Sequence, residues 1–294
     1  MIKIVSGTSV PVGSTVSLVN MCNQLNAKGH ECVFYGPDKW HLDKCNSGGI
    51  EEFHPEGGDI VIIHNIRLMS GTELYDLRAN TTEKRRLEWV QVLKDRIVSI
   101  LPATGKPPGV RLILTRMGNE SFSLRQTKYS LFDKVHYPCD SLQNQNITLP
   151  FFICPSFYKE LTNSRQKPVR VGGVIGTIWK ENKTDSAIEN ALNDGMHSVI
   201  VYGYLADPVY YYTSIEPLAK KYRGRIQFAG FVDSQQKIYD SVSDVYCAIK
   251  KPWSPVQHEC SLTGTLFHGP GASEENIMMT NDCILDIWKL HLGL

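Results

Sequence analysis

RIQFAGFVDSQQKIYDSVSDVYCAIKK, residues 225 to 251, holds the pattern on which the fold turns. A short apolar run (RIQFAG, 225 to 230) ends in a glycine and a polar loop. Helical spacing follows from Gln235 to Val242, and a second apolar run, DVYCAI, begins at Asp244. Strand, helix, strand is a crossover unit, and it sets its two strands parallel in one sheet. The same alternation extends upstream through VRVGGVIG (169 to 176), a helix from Asp185 to Asn193, SVIVYG (198 to 203) and a helix from Val209 to Tyr222. A last helix is expected from Asn281 to Leu292. The first half repeats the pattern, with strands at IKIVSG (2 to 7), ECVFYG (31 to 36), DIVIIHN (59 to 65), VRLILTR (110 to 116) and KVHYP (134 to 138). Its two strong helices run from Ser14 to Lys28, stopped by Gly29, and from Thr82 to Leu101, stopped by Pro102.

Between the halves lies PSFYKELTNSRQKP (155 to 168), rich in turn formers and polar residues. The expected architecture is therefore α/β: a Rossmann-like doubly wound domain over 1–154, a linker over 155–168, and a second such domain over 169–294 facing the first across a cleft. Ligands of such sheets bind beyond the carboxyl ends of the strands.

A chain of 294 residues, 42% hydrophobic and 21% charged, is ordinary globular stock of about two domains. Its longest apolar runs, 59–66 and 149–155, fall short of the ~18 residues a spanning helix needs. MIKIVSG reads as a first strand and not as a signal peptide, so a cytoplasmic location is expected. The 8 cysteines form no CxxC pair and read as buried reduced thiols. Net charge decides nothing, at 31 basic against 30 acidic residues. Between Arg78 and Lys134, however, 12 basic residues face 5 acidic ones. That excess suits an anionic partner or, equally, a solvated basic helix face.

GTSVPVGST (7 to 15) links the first strand to its helix, where Gly7 and Gly13 let a ligand approach backbone and the helix start offers N–H groups. It is not the dinucleotide fingerprint, because Ser9 and Val12 stand where GxGxxG needs glycines. His64 follows an apolar strand, where a parallel sheet delivers side chains to a ligand; a polar cap on a strand end is the alternative. His258, Cys260 and His268 lack metal-ligand spacing, so no metal is expected.

Read with Pro11, Gly13, Ser14, Gly29 and His30 in order and spacing, the opening resembles GT-B glycosyltransferases of the large retaining family, glycosyltransferase family 4-like. GGVIGTIWKENKT (172 to 184) resembles that family's diphosphate loop, in which a glycine precedes a basic residue and a lysine. The resemblance implies that Gly176, Thr177, Lys180 and Lys183 hold the donor, with Lys183 as the catalytic lysine. Thr177 departs from the pattern, and Lys180 is expected to share the work. The stretch over 225–251 resembles the family's base-binding segment, implying backbone contacts to the base from Gly230, Phe231 and Val232. HECSLTGTLF (258 to 267) resembles the helix whose acidic residue, here Glu259, accepts from the ribose hydroxyls, with the N–H groups of Ser261 and Leu262 on the diphosphate. The family's second acidic residue, eight positions earlier, is replaced by Lys251.

The resemblance further implies a nucleotide-diphosphate sugar as co-substrate, a UDP-sugar favoured, transfer to a hydroxyl with retention, and no obligatory metal or cofactor. His64 would lie near the donor sugar. The acceptor resemblance is thin. The basic excess there, including Lys84, Arg85 and Arg86, favours an anionic polymer such as DNA with hydroxymethylated pyrimidines, with a lipid-linked or surface glycan as the alternative. A degenerate sugar-nucleotide-binding protein and a two-domain nucleotide-sugar epimerase remain the other readings.

Overall fold

The computed structural model describes residues 1–6, 13–36, 43–49, 52–64, 66–68, 74–76, 109–115, 132–138, 149–163, 167–249, 255–270 and 279–294. The expected helix from Thr82 to Leu101 and the basic residues Lys84, Arg85 and Arg86 lie outside them. The chain divides into two compact units. The first is Met1–Val10, Ser14–Phe157 and Met279–Leu294; the second is Pro11–Gly13 and Tyr158–Met278.

The first unit is built on β1 (Ile2–Ser6), β2 (Cys32–Tyr35), β3 (Ser47–Gly48), β4 (Ile60–His64), a hairpin of β5 (Ile66–Leu68) and β6 (Leu74–Asp76), then β7 (Arg111–Thr115), β8 (Lys134–Tyr137) and β9 (Phe151–Ile153). Seven of these form one sheet in the order β3-β2-β1-β4-β7-β8-β9, with every ladder parallel. All five residues of β1 and of β4 are buried, as strands covered on both faces must be. Helix α1 (Gly13–Ala27) buries Leu18, Met21, Cys22 and Leu25, the i, i+3, i+4, i+7 stripe of its sequence.

Lys3 is the exception in an apolar strand. Its Nζ lies 2.6 Å from Asp59 Oδ2 and donates to the His54 carbonyl at 2.6 Å. Burial alone would raise the Asp59 pKa, but Lys3 and the Glu56 N–H outweigh it and hold the carboxyl below its ordinary value. Removing either partner of such a pair would strand the other charge, at a cost of about 3–5 kcal/mol.

A second polar feature crosses the carboxyl end of the same sheet. Ser6, His64, Thr115 and His136 are register neighbours on β1, β4, β7 and β8, and all are buried. His136 Nε2 lies 2.7 Å from the Cys154 carbonyl, which only accepts, so the proton sits on Nε2. Nδ1 is then the acceptor for the Thr115 hydroxyl at 2.7 Å. The ring is neutral.

The second unit carries β10 (Val171–Ile175), α2 (Thr184–Asn193), β11 (Ser198–Tyr202), a helical run over 208–221 (α3) with a π turn at Tyr211–Ile215, β12 (Ile226–Gly230), α4 (Gln235–Asp240), β13 (Asp244–Tyr246), α5 (Pro255–Thr263) and β14 (Leu266–His268). Its sheet order is β12-β11-β10-β13-β14, again wholly parallel. One core cluster joins Val174, Ile188, Val199, Val201 and Ile215; another joins Tyr202, Ile238, Tyr239, Val242 and Val245.

The final helix, α6 (Asn281–Leu292), falls at the expected residues but groups with the first unit, whereas the sequence division put it in the second. Its buried face explains this. Trp288 sits 4.5 Å from the His136 ring and 5.0 Å from Phe152. Lys134 donates to the His291 carbonyl at 2.8 Å, and Arg111 donates to that of Leu292, so two cations close the negative end of the helix.

Burial holds the His136 pKa at about 4, below its ordinary 6.5. The unfolded chain therefore takes up a proton below pH 6.5 that the folded site refuses. The stability it contributes is full above that pH and is lost as pH falls through 4, on the order of 3 kcal/mol in all. His136→Phe should be less stable at pH 7 by about 2 kcal/mol, with two groups left unpaired. Between pH 7 and 4.5 it should lose less stability to urea than wild type. Equal acid sensitivity in the two proteins would refute the assignment.

Candidate functional site

The candidate residues that the structure brings together belong to the second unit, at the carboxyl ends of β10, β11 and β12. After β10 the chain continues beside β11: Gly176 N–H donates to Tyr202 O at 2.9 Å, and Ile178 N–H to Tyr204 O at 2.8 Å. Ile178, 4% exposed, pins the loop from below. Asn182 Nδ2 donates to Thr177 O at 2.6 Å and braces it from within. A 3-10 turn over Lys180–Asn182 then leaves Lys183 with φ 48 and ψ 48, the left-handed region, before α2 begins. Lys180 and Lys183 are both exposed, three residues apart across this turn. A left-handed lysine is strained, and strain of this kind gathers at ligand sites.

The start of α2 is not the anion site. Asp185 N–H donates to the Tyr210 hydroxyl at 3.0 Å, that hydroxyl donates back to Asp185 Oδ1 at 2.6 Å, and Ser186 N–H donates to the same oxygen at 2.8 Å. The chain's own groups already occupy it, leaving the two lysines as the cations of the loop. Beside it, Gly203 N–H donates to Gly230 O at 2.8 Å, tying the end of β11 to the loop of Gly230, Phe231 and Val232. Phe231 is 40% exposed.

Helix α5 corrects one expectation. Ser261 and Leu262 lie in its last turn, where N–H groups are committed to carbonyls four residues back. Glu259 is buried at 3% exposure. Its Oε2 accepts from the Tyr239 hydroxyl at 2.5 Å and its Oε1 from Gln235 Nε2 at 2.9 Å. Burial raises its pKa to about 7 despite these donors. Neither Tyr239 nor Gln235 was singled out in the sequence, because nothing in their spacing marks a partner of Glu259.

Gly13, the exposed first residue of α1, groups with the second unit and has no atom within 4 Å of an added Cβ. His64 is 1% exposed, with Nδ1 3.5 Å from the Thr115 carbonyl, so its ring belongs to the buried polar row and not to a surface. His258 packs on Tyr158 at 3.9 Å between ring centroids, and burial lowers its pKa. His268 stacks on Tyr246 and lies 2.7 Å from Asp244. Among the described residues no three His, Cys, Asp or Glu side chains form a metal-binding group. Among them, too, no helix is long and apolar enough to cross a membrane.

Two α/β units, each on a wholly parallel main sheet, are the GT-B glycosyltransferase fold, and solved structures of that class match the chain over nearly all its length. An alpha-glucosyltransferase in complex with UDP and a 13-mer DNA matches with TM-score 0.61 and 12% identity, over 94% of this chain and 80% of that one. Alr3699/HepE of Anabaena in complex with UDP and glucose matches with TM-score 0.59 and 11% identity, over 94% and 82%. AviGT4, a glycosyltransferase of avilamycin A biosynthesis, matches with TM-score 0.51 and 13% identity, over 97% and 87%. No protein-family model and no curated protein matches the chain.

The raised Glu259 pKa has a stability consequence. Between pH 4.5 and 7 the folded protein keeps a proton that the unfolded chain has released. The contribution is full below 4.5 and disappears as pH rises through 7, on the order of 3 kcal/mol. Glu259→Gln should therefore gain stability relative to wild type as pH rises from 5 to 8. A pH-independent gap between the two urea-unfolding curves would refute it.

Proposed function

We propose that this chain is a glycosyltransferase that takes its sugar from a nucleotide-diphosphate donor, a UDP-sugar favoured, and passes it to a hydroxyl acceptor. The observation that carries this is the seam of three strand ends in the second unit. There a loop bearing Lys180 and Lys183 is hydrogen-bonded to the end of β11, which is hydrogen-bonded in turn to Gly230. Cations for a diphosphate and open backbone for a base thus follow β10 and β12, the two strands that flank β11. The fold shared with glycosyltransferases solved with UDP supports the reading.

As the glycosidic bond breaks, negative charge grows on the departing diphosphate, and Lys183 with Lys180 stabilises it where it forms. Gly176 and Thr177 shape that loop. Backbone of Gly230, Phe231 and Val232 meets the base. A ribose hydroxyl reaching Glu259 replaces its bond from Gln235. Gly13 offers backbone at the start of α1. His64 acts by fixing the end of β4 and takes no proton from substrate. Lysines in place of a divalent ion at the leaving group fit transfer without an obligatory metal, and retention follows the family resemblance. The acceptor we propose is an anionic polymer such as hydroxymethylated DNA, on the basic excess around Lys84, Arg85 and Arg86 and on the DNA held by one solved neighbour. The setting is cytoplasmic.

Two observations favour a second reading, a sugar-nucleotide binder without turnover: both Glu259 oxygens are already bonded, and Thr177 stands where the family resemblance puts a basic residue.

Thermal-shift titration with UDP, GDP and ADP should show UDP stabilising the protein most, by about 2.7 kcal/mol at a hundredfold excess over its Kd. UDP-glucose should be hydrolysed slowly, and faster transfer should follow when hydroxymethylated DNA is added. Lys183→Gly exchanges backbone strain for a looser unfolded chain, so its stability should stay within about 1 kcal/mol of wild type while UDP affinity falls about tenfold. Binding without hydrolysis would select the second reading. No response to any nucleotide would end both.

A further inference from the structure

Gly203 is where the two loops of the proposed donor site meet. It follows β11 with φ +142, as Gly176 follows β10 with the same φ. The space around these two glycines differs. A Cβ on Gly176 would find only Asn182 Nδ2, at 3.9 Å. A Cβ on Gly203 would be driven into the Gly176 carbonyl oxygen, with the carbonyl carbon at 2.6 Å and the Cα at 3.4 Å. These are backbone atoms and cannot swing aside as the end of a side chain would. Hydrogen bonds on either side of the contact hold it closed, from Gly176 N–H to Tyr202 O (2.9 Å) and from Ala206 N–H to Ile178 O (3.2 Å). On its other side, Gly203 N–H holds Gly230 O at 2.8 Å.

We infer that Gly203 is a positioning residue that couples the diphosphate loop to the base loop. It touches no part of the donor. Its missing side chain sets the spacing between the Thr177–Lys183 segment and the backbone of Gly230 to Val232. The inference rests on the nucleotide-diphosphate reading above and adds a claim about ligand length. A nucleoside diphosphate bridges both loops, a nucleoside engages only one, and pyrophosphate only the other. Displacing one loop relative to the other must therefore weaken the bridging ligand far more than either fragment, because the link between two contacts helps only when both are met at once.

The experiment measures the affinity of wild type, Gly203→Ala and Gly224→Ala for UDP, uridine and pyrophosphate by calorimetry or competition. Gly224 has φ +76 and open space around it, so its alanine variant carries backbone strain without the collision. Gly203→Ala should bind UDP about tenfold or more weakly, and raise the donor KM in step, while uridine and pyrophosphate change by less than about threefold. Gly224→Ala should lose stability but bind all three as wild type does. Should Gly203→Ala not fold, Ala206→Pro, which takes the Ala206 N–H from Ile178 O and leaves that of Asp207 at 3.4 Å, should show the same pattern more weakly. Equal loss for UDP and its fragments, or no loss, overturns the coupling and leaves the donor reading standing. A wild-type protein that binds none of the three overturns both.

Discussion

Every ladder in both main sheets is parallel, and most of what the molecule does follows from that constraint. A parallel pair cannot be joined by a tight turn; the chain must cross over a face of the sheet and re-enter from the far end. The crossovers bury the central strands on both sides, which is why β1 and β4 carry runs of Ile and Val. They also send each strand's exit to the same edge. Lys183, Gly203 and Gly230, distant in sequence, come together there because the sheet order puts β10, β11 and β12 side by side.

Inside such sheets polar groups need partners, and the two main exceptions show how they find them. Lys3 and Asp59 satisfy each other with help from backbone at both ends. The row from Ser6 to His136 places hydroxyls and imidazoles at matching register on four strands, so that Thr115 donates to His136 and His136 to Cys154. Satisfied polar groups of this kind oppose register slip, since a shift by one residue would leave each of them buried against apolar neighbours.

The alternation of apolar runs and helical stretches was legible in the sequence because strands buried on both faces announce themselves by composition. β9 was not, since its three residues sit between prolines. The last helix was legible as a helix but not in its allegiance: an amphipathic pattern says that one face is buried, not against what. The glycines and lysines of the diphosphate loop could be read in order, while the left-handed turn at Lys183 could not, lacking the glycine or asparagine that usually marks it. Ser261 and Leu262 fall late in α5, because the helix starts ahead of His258. Pro255, in the first helical position that proline favours, was the available signal.

The second unit lies, in chain order, between β9 and α6 of the first. During synthesis the Phe152 and His136 side chains therefore wait without the Trp288 face that covers them until α6 leaves the ribosome. The lobe begun first is completed only after the whole second unit, and a truncation removing α6 would strip packing from β8 and β9.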